Sequence, residues 1–300
     1  MFQLEYIKNL DISLCSKELR SEIAGVLNMI SRKEHNSLCT VAFKQTIVGI
    51  GLSWGKEFHP HGERISIFTD THIPEQEELT GALFEGIKSQ LNARDYDHAM
   101  WSFDENLHIF KKIALNNGFE LVRQTFMPTL EIDTVLKDLK GIQPAENLLT
   151  LKEITQDPIL KRDFFQLLKD NYTATHLISP VAEEPLEVWE SLLLDDNPDL
   201  QHSYIQFTDQ ITGYIMLHPV NNEEVELGWV GTTKGQQLEL LKPILKKQLL
   251  DLKQHGFTKI TPEVDTTDPF STELFSRTNL KTEPAFNTYQ LKLSLKVTTT

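Results

Sequence analysis

The sequence is poor in cysteine and has no long apolar segment. Its 300 residues include only Cys15 and Cys39, and neither belongs to a C-x-x-C pair. This argues against a zinc site or a disulfide framework, and reduced thiols are typical of the cytoplasm. No apolar run reaches the roughly 18 residues that a membrane-spanning helix needs, and residues 1–10 lack the features of a signal peptide. We therefore expect a cytoplasmic protein without a membrane partner.

Basic residues are also scarce. There are 29 Lys and Arg against 43 Asp and Glu, which gives a net charge of -14. An acidic surface repels nucleic-acid backbones, so we expect no nucleic-acid partner. Four lysines form the densest basic cluster, and we interpret them as the solvated face of one helix: Lys242, Lys246, Lys247 and Lys253.

Several motifs of common enzyme classes are missing. The sequence has no G-x-S-x-G, no Walker loop and no G-x-G-x-x-G, so hydrolase, P-loop and dinucleotide-binding functions lack support. The segment 57–63 contains two histidines and two glutamates, but Pro60 and Gly62 favour a polar hairpin loop there. We predict no metal site.

What the sequence does contain is a repeated order of elements. The first half predicts a strand, a helix, a hairpin over 40–54, a strand over 64–68, a helix over 75–92, a strand over 98–103, a helix over 106–116 and strand structure over 119–132. The second half repeats this order, beginning with a strand over 149–154 and ending with a strand over 286–293. Residues 41–49 also resemble residues 205–213, which favours a duplication.

The length fits two domains of ordinary size. Residues 134–147 contain Gly141 and Pro144 and little β character, and they are the predicted linker. We predict an N-terminal domain over 1–133 and a C-terminal domain over 148–300.

This repeated order resembles the GNAT superfamily of acyl-CoA-dependent N-acyltransferases. Residues 224–232, EVELGWVGT, are similar to the central strand of that family, and residues 260–280 are similar to its next strand, loop and helix. The resemblance implies an α/β fold of two tandem domains, each a central mixed, mostly antiparallel sheet flanked by helices. It implies that the N-terminal copy is degenerate.

The resemblance also implies acetyl-CoA as co-substrate, bound in the C-terminal domain. Backbone groups of the central strand pair with the pantetheine arm in this family, and the loop before the long helix holds the pyrophosphate. The matching positions here are Trp229, Val230, Gly231, Thr232, Lys234, Gly235, Gln236, Gln237 and Leu238. The corresponding run of the first half, 75–80, carries Glu75, Glu77 and Glu78, which repel an anion.

Pro243 leaves the start of the long helix open. A helix beginning near Gln236 would contain an interior proline and kink. A helix beginning at Pro243 would lengthen the loop, and the motif alignment would then fail.

The family often uses a glutamate of the central strand as base and a tyrosine of the last helix as acid. Glu226 and Glu224 occupy such strand positions and alternate with apolar residues, so both face one side. Phe275 and Ala114 stand where the tyrosine is expected, and neither donates a proton. Tyr214 and Tyr289 are the replacement candidates by topology.

Two functions remain open at this point. The first is an N-acetyltransferase that acts on an amine of a small molecule or peptide. The second is a non-catalytic binding or regulatory protein on a duplicated scaffold. We expect a monomer or a homodimer.

Overall fold

The computed structural model describes residues 2–233 and 238–294. Within these residues the strands are, in chain order, β1 (Gln3–Tyr6), β2 (Ser37–Phe43), β3 (Thr46–Lys56), β4 (His59–Thr69), β5 (His98–Asp104), β6 (Glu120–Phe126), β7 (Leu130–Glu131), β8 (Leu148–Thr150), β9 (Tyr204–Phe207), β10 (Ile211–Pro219), β11 (Glu224–Thr232), β12 (Lys259–Pro262), β13 (Val264–Asp265) and β14 (Phe286–Lys292).

The α-helices of the same residues are α1 (Lys17–Glu22), α2 (Leu27–Arg32), α3 (Gln76–Gln90), α4 (His108–Asn116), α5 (Ile132–Asp138), α6 (Leu151–Gln156), α7 (Pro158–Thr175), α8 (Leu186–Leu194), α9 (Leu241–Gln254) and α10 (Pro269–Leu274). Short 3-10 turns lie at Ile12–Leu14, Ala24–Val26 and Leu238–Leu240.

The chain forms two compact units. The first comprises Met1–Val122, Ile178–Ala182 and Phe286–Thr300, and the second comprises Arg123–Leu177 and Glu183–Ala285. The boundaries of these units differ from those of the predicted domains, 1–133 and 148–300, and of the predicted linker, 134–147. Those ranges stay a prediction about how the sequence is repeated. The last described strand belongs to the first unit. Helix α5 overlaps the start of the predicted linker, and Val135 of this helix and its C-cap Leu139 are buried in the core of the second unit.

The sheet of the first unit follows the order β1, β2, β3, β4, β5, β14. Only β4 and β5 pair in parallel; the other neighbours are antiparallel. Helix α3 packs on this sheet because its buried residues recur at helical spacing, as in Leu79, Leu83 and Ile87. Gly49 permits the close approach, since a Cβ there would lie 2.7 Å from Leu83 Cδ1.

The sheet of the second unit follows the order β7, β12, β11, β10, β9, β8. Here β11 and β12 are the parallel pair. Helix α9 buries Leu241, Ile244, Leu245, Leu249 and Leu252 against it. Pro243 is the third residue of α9, so its missing N–H falls in the first turn, where no intrahelical bond is due. The helix therefore carries the proline without an interior break.

The two units share the predicted repeat, with one exchange between the repeats. Strand β7, from the end of the first repeat, pairs with β12 of the second unit, and β14, from the end of the second repeat, pairs with β5 of the first. The strand structure predicted over 119–132 is thus two strands, β6 and β7, with different partners.

One predicted element is wrong. The strand expected over 149–154 ends at Thr150, and α6 follows at once. The Thr150 side chain accepts a bond from the Glu153 amide, while the Glu153 carboxylate accepts from the Thr150 amide, which is a capping box. These reciprocal bonds favour helix over the strand propensity of the leucine-rich run.

Candidate active site

In the second unit the parallel strands β11 and β12 separate partway along their length. They stay in register from Glu224 opposite Lys259 to Leu227 opposite Pro262. The Glu263 amide then donates to the Leu227 carbonyl at 2.9 Å, while β11 continues to Thr232 alongside β10. A cleft therefore opens beside the second half of β11.

A β-bulge marks the same point. Met216 of β10 lies opposite Trp229, and the next residue, Leu217, lies opposite Leu227, so Gly228 is the extra residue of β11. A bulge increases local twist and bends its strand. We attribute the divergence of β11 from β12 to this bend together with Pro262, whose lack of an N–H limits further pairing.

The cleft contains a cavity of about 200 Å³. Its lining comes from α7, from β10 and β11, and from the segment that follows β12: Asn171, Tyr172, Thr175, His176, Tyr214, Gly228, Trp229, Val230, Glu263, Asp265, Thr267 and Asp268.

One wall of the cavity is aromatic. The Tyr172 ring stacks on His176, with centroids 3.6 Å apart, and on Trp229, with centroids 5.0 Å apart. His176 Nδ1 also lies 2.9 Å from the Tyr172 carbonyl oxygen. Stacked rings with fixed hydrogen bonds hold one shape, so this wall forms a rigid apolar surface.

Gly231 lets two polar side chains reach the β11 backbone. A Cβ at Gly231 would lie 2.2 Å from Asn171 Nδ2 and 2.8 Å from the Tyr214 hydroxyl oxygen. The Asn171 amide donates to that hydroxyl at 3.5 Å. Burial raises the pKa of Tyr214 far above its ordinary value, with a smaller contribution from the negative charge of Asp268. The phenol is therefore protonated at neutral pH.

Glu263 is the residue of the cavity whose chemistry the sequence analysis missed. Burial, and then the negative charges of Asp265 and Glu226, raise its carboxyl pKa to about 7. A carboxyl group with this pKa gains and loses a proton near neutral pH, as a general base must. The available sequence signal is an acidic residue directly after Pro262, at the end of a short β-rich run and close to Asp265 and Asp268.

Two aspartates add to the acidic character that Glu263 gives the cavity. The Asp268 carboxylate accepts bonds from the Phe270 and Ser271 amides at 2.9 and 3.3 Å and caps α10, and burial raises its pKa. Asp265 lies 3.4 Å from the Arg123 guanidinium. The described residues that line the cavity include Glu263, Asp265 and Asp268 and no lysine or arginine, so the field of this lining favours a cationic ligand.

The predicted catalytic residues fall in different places. Tyr214 lines the cavity, whereas Glu224 and Glu226 are not among its lining residues. The Glu224 carboxylate accepts from the Thr261 hydroxyl at 2.7 Å. Tyr289 belongs to the first unit, where its ring stacks on Phe103 at 5.0 Å in the buried core. Tyr289 is thus part of the core of the first unit, whereas Tyr214 belongs to the second.

The structure describes only some of the predicted cofactor-binding residues. Trp229 and Val230 line the cavity, and Gly231 and Thr232 continue β11 beyond the bulge. Lys234, Gly235, Gln236 and Gln237 lie outside the described residues. Leu238 begins the 3-10 turn that leads into α9. A cofactor role for these residues stays a prediction.

Among residues 2–233 and 238–294, no three His, Cys, Asp or Glu side chains are grouped so that they could hold a metal ion. None of the helices in this part of the chain combines the length and apolar character needed to cross a bilayer.

The sequence matches no protein-family model and no curated protein. Solved structures, however, share the fold. A GCN5-related N-acetyltransferase from Sphaerobacter thermophilus superimposes with a TM-score of 0.62 at 9% identity, over 97% of this chain and 95% of that chain. A tandem GNAT protein from the clavulanic acid biosynthesis pathway gives a TM-score of 0.56 at 12% identity, over 97% and 98% of the two chains.

A GNAT-family acetyltransferase from Colwellia psychrerythraea gives a TM-score of 0.56 at 10% identity, over 97% of this chain and 100% of that chain. At these identities the likeness establishes the fold. The chain therefore has the tandem fold of the GNAT N-acetyltransferases.

Proposed function

We propose that the second unit transfers an acetyl group from acetyl-CoA to an amine of a small molecule or peptide. The observation that carries the proposal is the Glu263 carboxyl, with a pKa of about 7, in a cavity where β11 has left β12. The cavity supplies an acceptor site, and the unpaired stretch of β11 supplies a binding edge. The fold supports the same activity by analogy alone.

The open part of β11 fits the co-substrate. Among the described residues, β12 stays in register with β11 only as far as Leu227, so we propose that the backbone of Trp229–Thr232 pairs with an added extended chain such as pantetheine. The predicted loop, with Lys234 and Gly235, would then hold the diphosphate ahead of α9. The Lys242 ammonium is paired with Glu273, so we do not assign it to the phosphates.

The reaction needs a proton acceptor for the attacking ammonium. Glu263 accepts one proton from the ammonium, and the freed amine nitrogen bonds to the thioester carbonyl carbon. The carbon–sulfur bond then breaks, and the second proton lost by the nitrogen goes to the departing thiolate, which leaves as the thiol. Because the pKa of Glu263 lies near 7, a large fraction of this carboxyl is ionised at neutral pH and can accept a proton. The raised pKa also makes it a stronger base than an ordinary carboxylate.

Tyr214 is the proposed partner of the leaving sulfur. Tyr214 lines the cavity, and its hydroxyl is protonated. A thiol has an ordinary pKa of about 8.5, so full transfer from this less acidic phenol is uphill. We therefore assign Tyr214 as a hydrogen-bond donor to the thiolate rather than as a strong acid.

Glu226, the sequence-predicted base, receives a different role in this proposal. Its charge contributes to the raised pKa of Glu263, and its side chain does not line the cavity. Glu226 thus tunes the base through the field it creates. Together with Asp265 and Asp268 it also favours a cationic acceptor.

One observation favours the alternative of a non-catalytic binding protein. Phe275, at the position where the family often has its tyrosine acid, is 1% exposed and belongs to the core of the second unit. It therefore contributes no proton donor to the cleft.

The experiment that separates the two functions measures thiol release from acetyl-CoA with a panel of small amines and dipeptides. The proposal expects release that depends on the acceptor, and calorimetric binding of acetyl-CoA. If the folded protein neither releases thiol nor binds acetyl-CoA, the proposal is wrong and the non-catalytic binding function remains.

A further inference from the structure

The first unit contains its own opening in the sheet. Strands β4 and β5 stay in register from Gly62 opposite His98 to Ile65 opposite Trp101, and beyond that they separate. A cavity of about 630 Å³ lies at this separation. Its volume falls inside the range of roughly 300–1,000 Å³ that is usual for small-molecule sites.

The lining of this cavity is dominated by large apolar side chains. They come from β4, β5, α4 and its N-cap, and the first residue of β14: Phe68, Trp101, Phe103, Leu107, Phe110 and Phe286. Leu107 is 43% exposed and Phe286 is 48% exposed. Apolar side chains left open to solvent around a concave site mark a place where an apolar ligand gains most from burial.

Most polar groups of the lining already have partners. The Thr69 hydroxyl donates to Gln76 Oε1 at 3.0 Å, and the Gln76 amide nitrogen donates to the Asp70 and Ile73 carbonyls. The Ser102 hydroxyl lies 2.9 Å from the Thr288 hydroxyl. These groups stabilise the walls and offer little to a ligand.

Thr80 differs from them. It lies on α3, lines the cavity and is 1% exposed, and its hydroxyl has no hydrogen-bond partner within the described part of the chain. A buried hydroxyl without a partner is costly, since it has lost water and gained nothing in exchange. A carbonyl or hydroxyl oxygen placed in the cavity would supply the missing bond.

The charges around the cavity exclude phosphorylated ligands. Glu22 and Asp104 line it, and the first turn of α3 carries Glu77 and Glu78. Glu77 is paired with Lys112 at 2.6 Å, which leaves Glu78 to repel an anion at this helix end.

We propose that the first unit binds an uncharged, mainly apolar small molecule that carries one hydrogen-bond acceptor, with the Thr80 hydroxyl as donor. A planar aromatic ketone is the simplest chemistry that fits the rings, the lone donor and the acidic rim. This inference does not depend on acetyl transfer in the second unit.

Titration of the full chain with prodan, a neutral naphthalene ketone whose emission shifts to the blue in apolar sites, tests the proposal. Wild-type protein is expected to bind it saturably at one site. Thr80→Val keeps the side-chain shape and removes the hydroxyl, so it should weaken binding by about two- to tenfold. Thr80→Ser keeps the donor and should stay close to wild type.

Thr40→Val is the matched control, because Thr40 is a buried threonine of β2 that is not among the residues lining the cavity. It should leave the affinity unchanged. Millimolar acetyl-CoA should not displace the dye. Absence of saturable binding, equal affinity of Thr80→Val and wild type, or displacement of the dye by acetyl-CoA would each overturn the proposal.

Discussion

The two units open their sheets in the same way but line the openings with different side chains. Each has one parallel strand pair that separates after Leu227 in the second unit and after Ile65 in the first. The second opening contains Glu263 and Tyr214, whereas the first contains aromatic rings and the unpaired Thr80 hydroxyl. A shared backbone thus provides two concave sites, and the side chains decide what each one binds.

The helices that follow the central strands differ in a matching way. Helix α3 has Glu77 and Glu78 in its first turn, whereas α9 has no acidic residue there and a single one, Glu239, in the 3-10 turn before it. A helix N-terminus favours an anion, and carboxylates near it weaken that preference. We infer that the second unit is better suited to a diphosphate than the first.

The largest expected effect concerns the proposed base. Glu263→Gln should lower kcat by about 10²- to 10⁴-fold, because the amide keeps the shape and cannot accept the proton. Steady-state acetyl transfer measures this. Glu224→Gln is the matched control and should stay close to wild type, since Glu224 does not line the cavity. An equal decrease of kcat in the two variants would contradict the assignment of Glu263 as the base.

The next effect tests the close packing at β11. Gly231→Ala should lower the free energy of unfolding by about 1–3 kcal/mol, because its Cβ would overlap Asn171 and Tyr214. Gly213→Ala, on the neighbouring strand, places its Cβ 3.4 Å from the nearest atom and should cost less. Urea denaturation measures the free energy of unfolding of both variants. Equal losses of stability would show that Asn171 and Tyr214 pack loosely around residue 231.

Stability against pH offers a third test in the absence of ligand. The pKa of Glu263 is raised from 4.5 to about 7 in the folded protein, so its ionised form opposes folding. Wild type therefore loses stability as pH rises from about 4.5 through 7, and Glu263→Gln does not. We expect the variant to be more stable than wild type by about 3 kcal/mol at pH 8 and by about 1 kcal/mol or less at pH 5.

Denaturant midpoints at both pH values measure this difference. Asp268 also has a raised pKa, and its charge contributes to the raised pKa of Glu263, so the measured difference includes the coupling of the two carboxyls. A constant difference between the proteins across the pH range would mean that Glu263 titrates normally.

The smallest effect lies in the first unit. Thr80→Val should raise the free energy of unfolding by about 0.5–1 kcal/mol, since it replaces an unpaired buried hydroxyl with a methyl group. Thermal unfolding compares it with Thr40→Val. Destabilisation confined to Thr80→Val would show that its hydroxyl already has a partner.

Local parts of the fold could be predicted from the sequence. The hairpin of β2 and β3 turns at Lys44 and Gln45, both with positive φ, between two β-rich runs. Gly118 has the expected left-handed conformation after α4, with φ +80. Such features depend on neighbouring residues, and propensity and turn chemistry describe them well.

The exchange of β7 and β14 could not be predicted, because strand pairing partners lie far apart in sequence. Residue 286 pairs with residue 104, for example. Glu263 was missed for a related reason. Its pKa depends on burial and on Glu226 and Asp265, and Glu226 reaches it only once β11 lies beside β12. The strand glutamates that the family resemblance implies lie on β11, whereas Glu263 follows β12, the neighbouring parallel strand. A catalytic role for Glu224 and Glu226 stays a prediction.

The most direct test of the account is the pH dependence of kcat/KM for wild type and Glu226→Gln with one amine acceptor. Because Glu263 acts as base only when ionised, wild-type activity should fall as pH drops through about 7. Removal of the Glu226 charge should lower the pKa of Glu263, so the decrease of kcat/KM should occur at lower pH without loss of activity at neutral pH. If Glu226→Gln loses activity at the same pH as wild type, or if wild-type activity persists unchanged to pH 5, the central claim that Glu263 is the base of this cleft is contradicted.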